Sequence, residues 1–245
     1  MGPKSMLPAG AKDRKMSTVC VFAAQSILAL LAGFAVAHAQ TDALFSVDFE
    51  KVDVGFHPVG FSTALTGKGG PANWVVEAHD ASTGVSNVLT QRSNEETNYR
   101  FPLCIYEGFV GKNVALTVRF KPISGRIDQA AGLVWRYQDA NNYYVVRANA
   151  LEDNVVLYKV EDGKRSDLKP IGAGMFSYGE NAPVPDDQWS GLSVVVLGSK
   201  FTVALNGEHL FDVEDETFRE AGRVGLWTKA DSVTSFDDFT ITGSD

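Results

Sequence analysis

Between residues 114 and 121 the chain alternates strictly. Val114, Leu116, Val118 and Phe120 are apolar, and Ala115, Thr117, Arg119 and Lys121 between them are small or polar. A period of two turns one face of an extended strand toward a core and the other toward water. Strand-length runs recur from residue 40 to the end, divided by Gly, Asn, Asp and Pro clusters, and no stretch of that part keeps a long helical period. Many short strands with turn residues between them predict an all-β sandwich or barrel.

Two hairpins can be placed in register. Over residues 192–213, Gly198-Ser199 and Asn206-Gly207 are both two-residue turn signals. Pairing across them brings Leu192, Val194, Val196, Phe201, Val203, Leu205 and Leu210 onto one face of a three-stranded meander. The acidic segment after it, Asp215 to Gly222, reads as one helical turn with Asp215 as its cap and Gly222 as its stop. The second hairpin joins residues 131–138 to 143–150 through Asp139-Ala140-Asn141-Asn142. In its simplest register Leu133, Trp135, Tyr137, Tyr144, Val146 and Ala148 share the core face. Val134, Arg136, Tyr143, Val145, Arg147 and Asn149 then share the other. A one-residue slip in either strand would exchange its faces.

The start of the chain follows a different pattern. Lys4, Lys12, Arg14 and Lys15 precede a mostly apolar run from Thr18 to Val36, and Ala37-His38-Ala39 supplies a small-x-small cleavage site. Residues 1–39 are therefore expected to be a helical signal peptide. The competing reading, an uncleaved anchor, is weakened by Gln25, Ser26 and the Ala-His-Ala end. Residues 40–245 are expected to form a single β-sandwich domain, periplasmic or secreted, with no membrane contact after cleavage. The whole chain has a formal charge of −8. The leader removes four basic residues and only one acidic one, so the mature part is more acidic still. Such a surface repels phosphate backbones and anionic headgroups, so nucleic-acid and membrane-surface partners are excluded. A domain of this size buries about 70% of its unfolded surface and needs no staples. With Cys20 in the leader, Cys104 stands alone between Leu103 and Ile105 and reads as a small buried hydrophobe.

The run Gly132-Leu-Val-Trp-Arg-Tyr-Gln-Asp-Ala-Asn-Asn-Tyr-Tyr-Val-Val-Arg-Ala-Asn149 resembles the concanavalin A-like lectin and glucanase sandwiches. Within that superfamily the chain is similar to the bacterial exported 3-keto-disaccharide hydrolase-like family. Asn154-Val-Val-Leu-Tyr-Lys-Val160, Val203-Ala-Leu-Asn-Gly207, Gly222-Arg-Val-Gly-Leu-Trp-Thr-Lys229 and Ser235-Phe-Asp-Asp-Phe239 carry the rest of the likeness. The resemblance implies an antiparallel two-sheet jelly roll with a concave face on which sugars lie. It also implies a structural calcium tying the first and last strands, for which Asp48, Asp237 and Asp238 supply carboxylates. The alternative for those charges is the protection of strand edges from aggregation. The acidic E-x-D-x-x-E strand motif of the superfamily's retaining glucanases is missing from this chain.

The polar face of the second hairpin is the candidate site. Arg136, Tyr143, Arg147 and Asn149 offer planar donors and an aromatic ring to a pyranose, with Trp227 as a stacking platform and Lys229 beside it. Trp74, Trp135 and Trp189 read as core. No histidine spacing suits a metal, and no Ser–His–Asp or Cys–His set suggests a nucleophile. The catalytic residues are not identified; Glu107, Asp139 and Glu77 are the carboxylates to inspect. The expectation is an exported carbohydrate-binding sandwich acting on glycans or glycosides. A glycoside hydrolase of the 3-keto-disaccharide type is the alternative, and an extracellular adhesion module, needing a flat apolar patch, is the second.

Overall fold

The computed structural model describes residues 43–81 and 84–244, and the leader expected over residues 1–39 lies outside them. The described chain is all-β. Its strands are β1 (Ala43–Val47), β2 (Phe61–Gly67), β3 (Trp74–Ala81), β4 (Gly84–Gln91), β5 (Arg100–Gly111), β6 (Asn113–Ser124), β7 (Ala130–Asp139) and β8 (Asn142–Asn149), then β9 (Asn154–Glu161), β10 (Lys164–Leu168), β11 (Glu180–Asn181), β12 (Ser190–Leu197), β13 (Lys200–Leu205), β14 (Glu208–Glu214), β15 (Gly222–Trp227) and β16 (Val233–Ser244). Two antiparallel sheets result. One runs β14-β13-β12-β6-β16-β4-β3 with β1 on β16, and the other runs β10-β9-β8-β7-β15-β5-β2 with β11 on β9. Sequence neighbours divided between two sheets in this way make a jelly-roll sandwich.

The alternation read from the sequence sets the inner faces. Leu116, Val118 and Phe120 of β6, Val194 and Val196 of β12, and Phe201 and Val203 of β13 pack against Leu133, Trp135, Tyr144, Val146, Leu157 and Leu226 of the other sheet. Burying each such side chain contributes about 1.5–3 kcal/mol before entropy is counted. The β12–β13 hairpin pairs Leu192 with Leu205, Val194 with Val203 and Val196 with Phe201, the expected register. Its neighbour departs from expectation. A bulge between Val203 and Ala204 leaves Leu210 unpaired, so that Phe211 and Val213 take the buried positions while Leu210 packs at the rim.

Two further expectations are corrected. Residues 215–221 contain no helical turn; Asp215 instead accepts a bond from the Thr217 amide and another from the Tyr144 hydroxyl, which pins the segment as a loop. Trp189 is not in the core. It lies half-buried on the outer face of the first sheet, edge-on to His79, with the Arg119 guanidinium 4.9 Å from its ring. Trp74 and Trp135 are core residues as expected, and Cys104 is a buried free thiol whose ionisation burial opposes.

The outer face of the second sheet is not the hydrophilic layer its sequence implied. Phe101, Leu103, Ile105, Val134, Tyr143, Val145, Val156, Tyr158, Val160 and Trp227 form a second buried apolar cluster there. The sheet shelters it by curling on itself. Four strands separate β10 from β5, which in a flat sheet sets them roughly 24 Å apart at about 4.8 Å per strand. Yet the Arg165 guanidinium on β10 lies 4.8 Å from the Phe101 ring on β5. The Tyr99 hydroxyl, just ahead of β5, donates to the Gly163 carbonyl at 3.0 Å and accepts from the Arg165 amide at 2.7 Å. Thr66 of β2 meets the Tyr143 hydroxyl of β8 at 2.8 Å. The face is a trough clasped along one side.

Candidate functional site

The β7–β8 hairpin decides which polar side chains enter the trough. Pairing runs from Ala130↔Asn149 to Trp135↔Tyr144, two residues from the simplest register but with the same faces over 131–135, and then slips before Asp139↔Asn142. The slip is a bulge, and Arg136 takes a positive φ of 48° within it. The bulge exchanges the sides of two residues. Tyr137 turns toward Tyr143, with ring centroids 6.0 Å apart. Arg136 turns away from the trough, donating to the carbonyls of Lys112, Phe218 and Gly198 with its guanidinium 5.7 Å from the Phe201 ring. The structure therefore does not bring Arg136 together with Arg147; it serves as a buried tie between loops at one end of the sandwich.

Tyr143, Arg147 and Asn149 do share the trough, and Trp227 and Lys229 enter it from β15 and the residues after it. Trp227 is 0% exposed. It is stacked on Phe101 at 5.3 Å and covered by Arg165 at 5.9 Å, so it forms the floor beneath the guanidinium rather than an open platform. Tyr143 is closed off in the same way, and burial pushes its phenol well above the usual range.

At the open end of the trough lies a cluster of charges that the hairpin alone did not disclose. Arg147, 0% exposed, donates through Nη2 to Glu152 at 2.9 Å and to the Asn154 side-chain oxygen. Asn154 Nδ2 returns a bond to Glu152 at 3.2 Å. Beside them Asn149 Nδ2 donates to Asp128 at 2.7 Å, and Lys229 forms an ion pair with the other Asp128 oxygen. Asp128 is held in place by Asp231, whose carboxylate accepts the amides of Arg126, Ile127 and Asp128 at 2.6–3.1 Å. The two acidic side chains differ electrically. Burial raises the Asp128 carboxyl above its ordinary range despite Lys229, whereas the bond and charge of Arg147 overcome burial to hold Glu152 below it.

The aromatic wall completes the geometry. Arg147 lies 5.7 Å from the Tyr158 ring and 5.9 Å from that of Tyr178, and the two phenols are hydrogen-bonded to each other. Arg165 sits 4.3 Å from the Tyr158 ring. Among the described residues, Arg147 Nε and Nη1 and Arg165 Nη1 are buried donors without an acceptor. A buried N–H left unpaired costs about 1–3 kcal/mol, so three on two guanidiniums mark a place that calls for oxygen atoms.

Asp128, Glu152, Asn154, Tyr158, Arg165 and Tyr178 were not anticipated. Asn154 and Tyr158 stood in a strand read only for its fold, and Arg165 belongs to an edge strand with no period of its own. Glu152 and Asn154 reach Arg147 through the tight β8–β9 hairpin, Asp128 reaches Asn149 across β7 and β8, and the curl of the sheet brings Arg165 over Phe101 and Trp227. The inspected carboxylates lie elsewhere. Glu107 pairs with Arg223 at 2.7 Å, Asp139 closes its own hairpin turn, and Glu77 pairs with Arg92 at 3.3 Å.

The three residues considered for calcium are otherwise engaged. Asp238 pairs with Arg119 at 3.2 Å, Asp48 accepts the Glu50 amide, and Asp237 accepts the Asp238 amide. Among the described residues no three acidic, histidine or cysteine side chains gather as a metal-holding group.

No protein-family model matches the chain, and no curated protein matches it by sequence. Solved structures do resemble it. The carbohydrate-binding module CBM66 from Bacillus subtilis is 20% identical, with a TM-score of 0.56 over 74% of this chain and 94% of that one. The cellulose-induced protein Cip1 is 14% identical, with a TM-score of 0.58 over 82% and 97%. Domain 4 of AbnA, a GH43 extracellular arabinanase from Geobacillus stearothermophilus in complex with arabinotriose, is 14% identical, with a TM-score of 0.50 over 84% and 94%. At these identities the likeness is one of fold, and it agrees with the jelly-roll sandwich built above.

Proposed function

We propose that this is an exported carbohydrate-binding protein, and that its trough holds a sugar against Arg147, Asn149, Asn154, Asp128, Glu152 and Lys229. The carrying observation is the buried Arg147 guanidinium, whose Nε and Nη1 have no acceptor among the described residues while its Nη2 is fixed by Glu152 and Asn154. A pyranose or furanose hydroxyl accepts from such donors and donates to the carboxylates and amide oxygens beside them. The fold neighbours support the reading in general terms, since one is named as a carbohydrate-binding module and another as an arabinanase domain in complex with an oligosaccharide. Export rests on the basic, then apolar, then Ala-His-Ala leader.

The test is isothermal titration and thermal shift across a panel of neutral and acidic glycans, with Arg147→Ala as the probe. The expected result is a ligand that raises the melting temperature of the wild type, with affinity falling by at least about tenfold in the variant. Arg136→Leu serves as control. It removes three carbonyl partners outside the trough, so it should lower stability and leave the affinity of the folded protein unchanged. Equal loss in both variants would count against the site.

A hydrolase of the 3-keto-disaccharide type is the second reading, favoured by one observation. Asp128 and Glu152 flank the same cluster with their ionisations pushed in opposite directions, the pattern of an acid and a base. Both are committed to cationic partners, which argues for binding over turnover. Release of product from a 3-keto-glycoside, abolished by Asp128→Asn, would reverse that order.

A further inference from the structure

We propose that the sugar bound in the trough is acidic, its ring bearing a carboxylate, and that Arg165 with Arg147 reads that charge. This rests on the carbohydrate-binding reading and narrows its ligand class.

Of the charged side chains gathered in the trough, Arg147 is matched by Glu152 and Lys229 by Asp128. Arg165 has no ion pair among the described residues, and its Nη1 is a buried donor without an acceptor. Arg165 is therefore the cation of the trough with no carboxylate at ion-pair distance among the described residues, in a chain whose formal charge is −8. A lone partly buried cation in an acidic protein is not explained by the surface field. Desolvating it costs free energy that only a nearby negative charge or a set of acceptors offsets.

The aromatic rings account for part of that balance. Phe101, Tyr158 and Trp227 surround the Arg165 guanidinium at 4.8, 4.3 and 5.9 Å, and ring faces attract a cation. Ring faces, however, take no in-plane N–H bond, so the guanidinium edge keeps its demand for oxygen. The same holds for Arg147, flanked by Tyr158 and Tyr178, whose Nε and Nη1 are also unmatched among the described residues. Tyr158 is the ring common to both arginines, 5.7 Å from Arg147 and 4.3 Å from Arg165. A carboxylate presents two oxygens and several lone-pair sites, and its bonds to guanidinium are of the strong, charge-assisted kind. Neutral hydroxyls satisfy the N–H groups but give Arg165 no carboxylate partner. A uronate satisfies both.

The test uses methyl glycosides and the matching methyl glycuronides in gluco, galacto and manno configurations, each pair differing only in a CH2OH or a carboxylate at C5. Affinities are measured by calorimetry at pH 7. The expected result is a glycuronide binding at least about tenfold tighter than its neutral partner, the size of one charge-assisted contact. Arg165→Gln should bring that ratio close to one while leaving the neutral glycoside bound. If a neutral member binds as well as or better than its acidic partner, the acidic-ligand inference falls and the carbohydrate-binding reading stands. If no member of the panel binds, both fall. Should Arg165→Gln fail to fold, the wild-type ratio alone decides the ligand class. Arg165→Lys, which keeps the charge and loses the planar donors, then reports whether guanidinium geometry matters.

Discussion

Asp237 shows how one residue sets a pH dependence. It is 8% exposed on β16, beside Asp238 and near Glu50, and burial, the largest cause, pushes its carboxyl up to about 6. The folded state therefore holds a proton that the unfolded chain, with an ordinary carboxyl near 4, releases. Stability from this group is fully present below pH 4 and is lost as pH rises through 6, at a cost of about 2–3 kcal/mol above that window. Asp237→Asn should accordingly raise the melting temperature by several degrees at pH 7.5 and give no gain at pH 4. The Asn oxygen can still accept the Asp238 amide, so the substitution removes the charge and keeps the bond. An equal gain at both pH values would mean that the carboxylate is not the source.

At the level of elements, the strands were legible in the sequence and the bulges were not. Alternation at 114–121, the Asn206-Gly207 turn and the shared core face of Trp135 and Tyr144 follow from local chemistry, and the structure has them all. Arg136 and Leu210 went astray for one shared reason. Each sits where a bulge inserts residues, and a bulge changes every facing position beyond it without altering the local hydrophobic pattern. Arg147, Asn149 and Lys229 lay on regular strand or beside it, so their common side could be read. Glu152 and Asp128 join them through the turns that flank β8, which were read only for fold, and Arg165 joins through the curl of a whole sheet, which no window of sequence reports. The Arg136 bulge has a partner element in β15. Gly222 opposes it so closely that an added Cβ would lie 2.5 Å from the Arg136 carbonyl carbon and 2.7 Å from its Cα. Backbone cannot give way there cheaply, so Gly222→Ala should destabilise by about 2 kcal/mol or more, read from denaturant midpoints. Gly191→Ala, with nothing within 4 Å of its added Cβ, should stay within about 0.5 kcal/mol. Equal costs at the two positions would show that the close approach does not constrain the bulge.

On the scale of the molecule, the two sheets are unequal. The first has one face in the core and one in water, as β12 shows by alternating buried with half-buried or exposed positions. The second is buried on both faces through its middle, so β8 and β9 read as near-continuous apolar runs, Tyr143-Tyr-Val-Val and Val155-Val-Leu-Tyr. Apolar contact on two faces makes the central strands of that sheet the last part to open, while β14, an edge strand of the first sheet, can fray alone. Hydrogen exchange measured on the native protein should therefore show amides of 143–149 and 154–160 exchanging only with global unfolding, and amides of 208–214 exchanging orders of magnitude faster. Exchange at 143–149 as fast as at 208–214 would mean that the trough opens by itself. The outcome bears on recognition. Arg147 and Asn149 project from the strand predicted to be most rigid, and Arg165 is tied through its own amide to Tyr99. Donors held in place before binding lose little freedom when a sugar arrives, so a slow-exchanging trough is also a preorganised one.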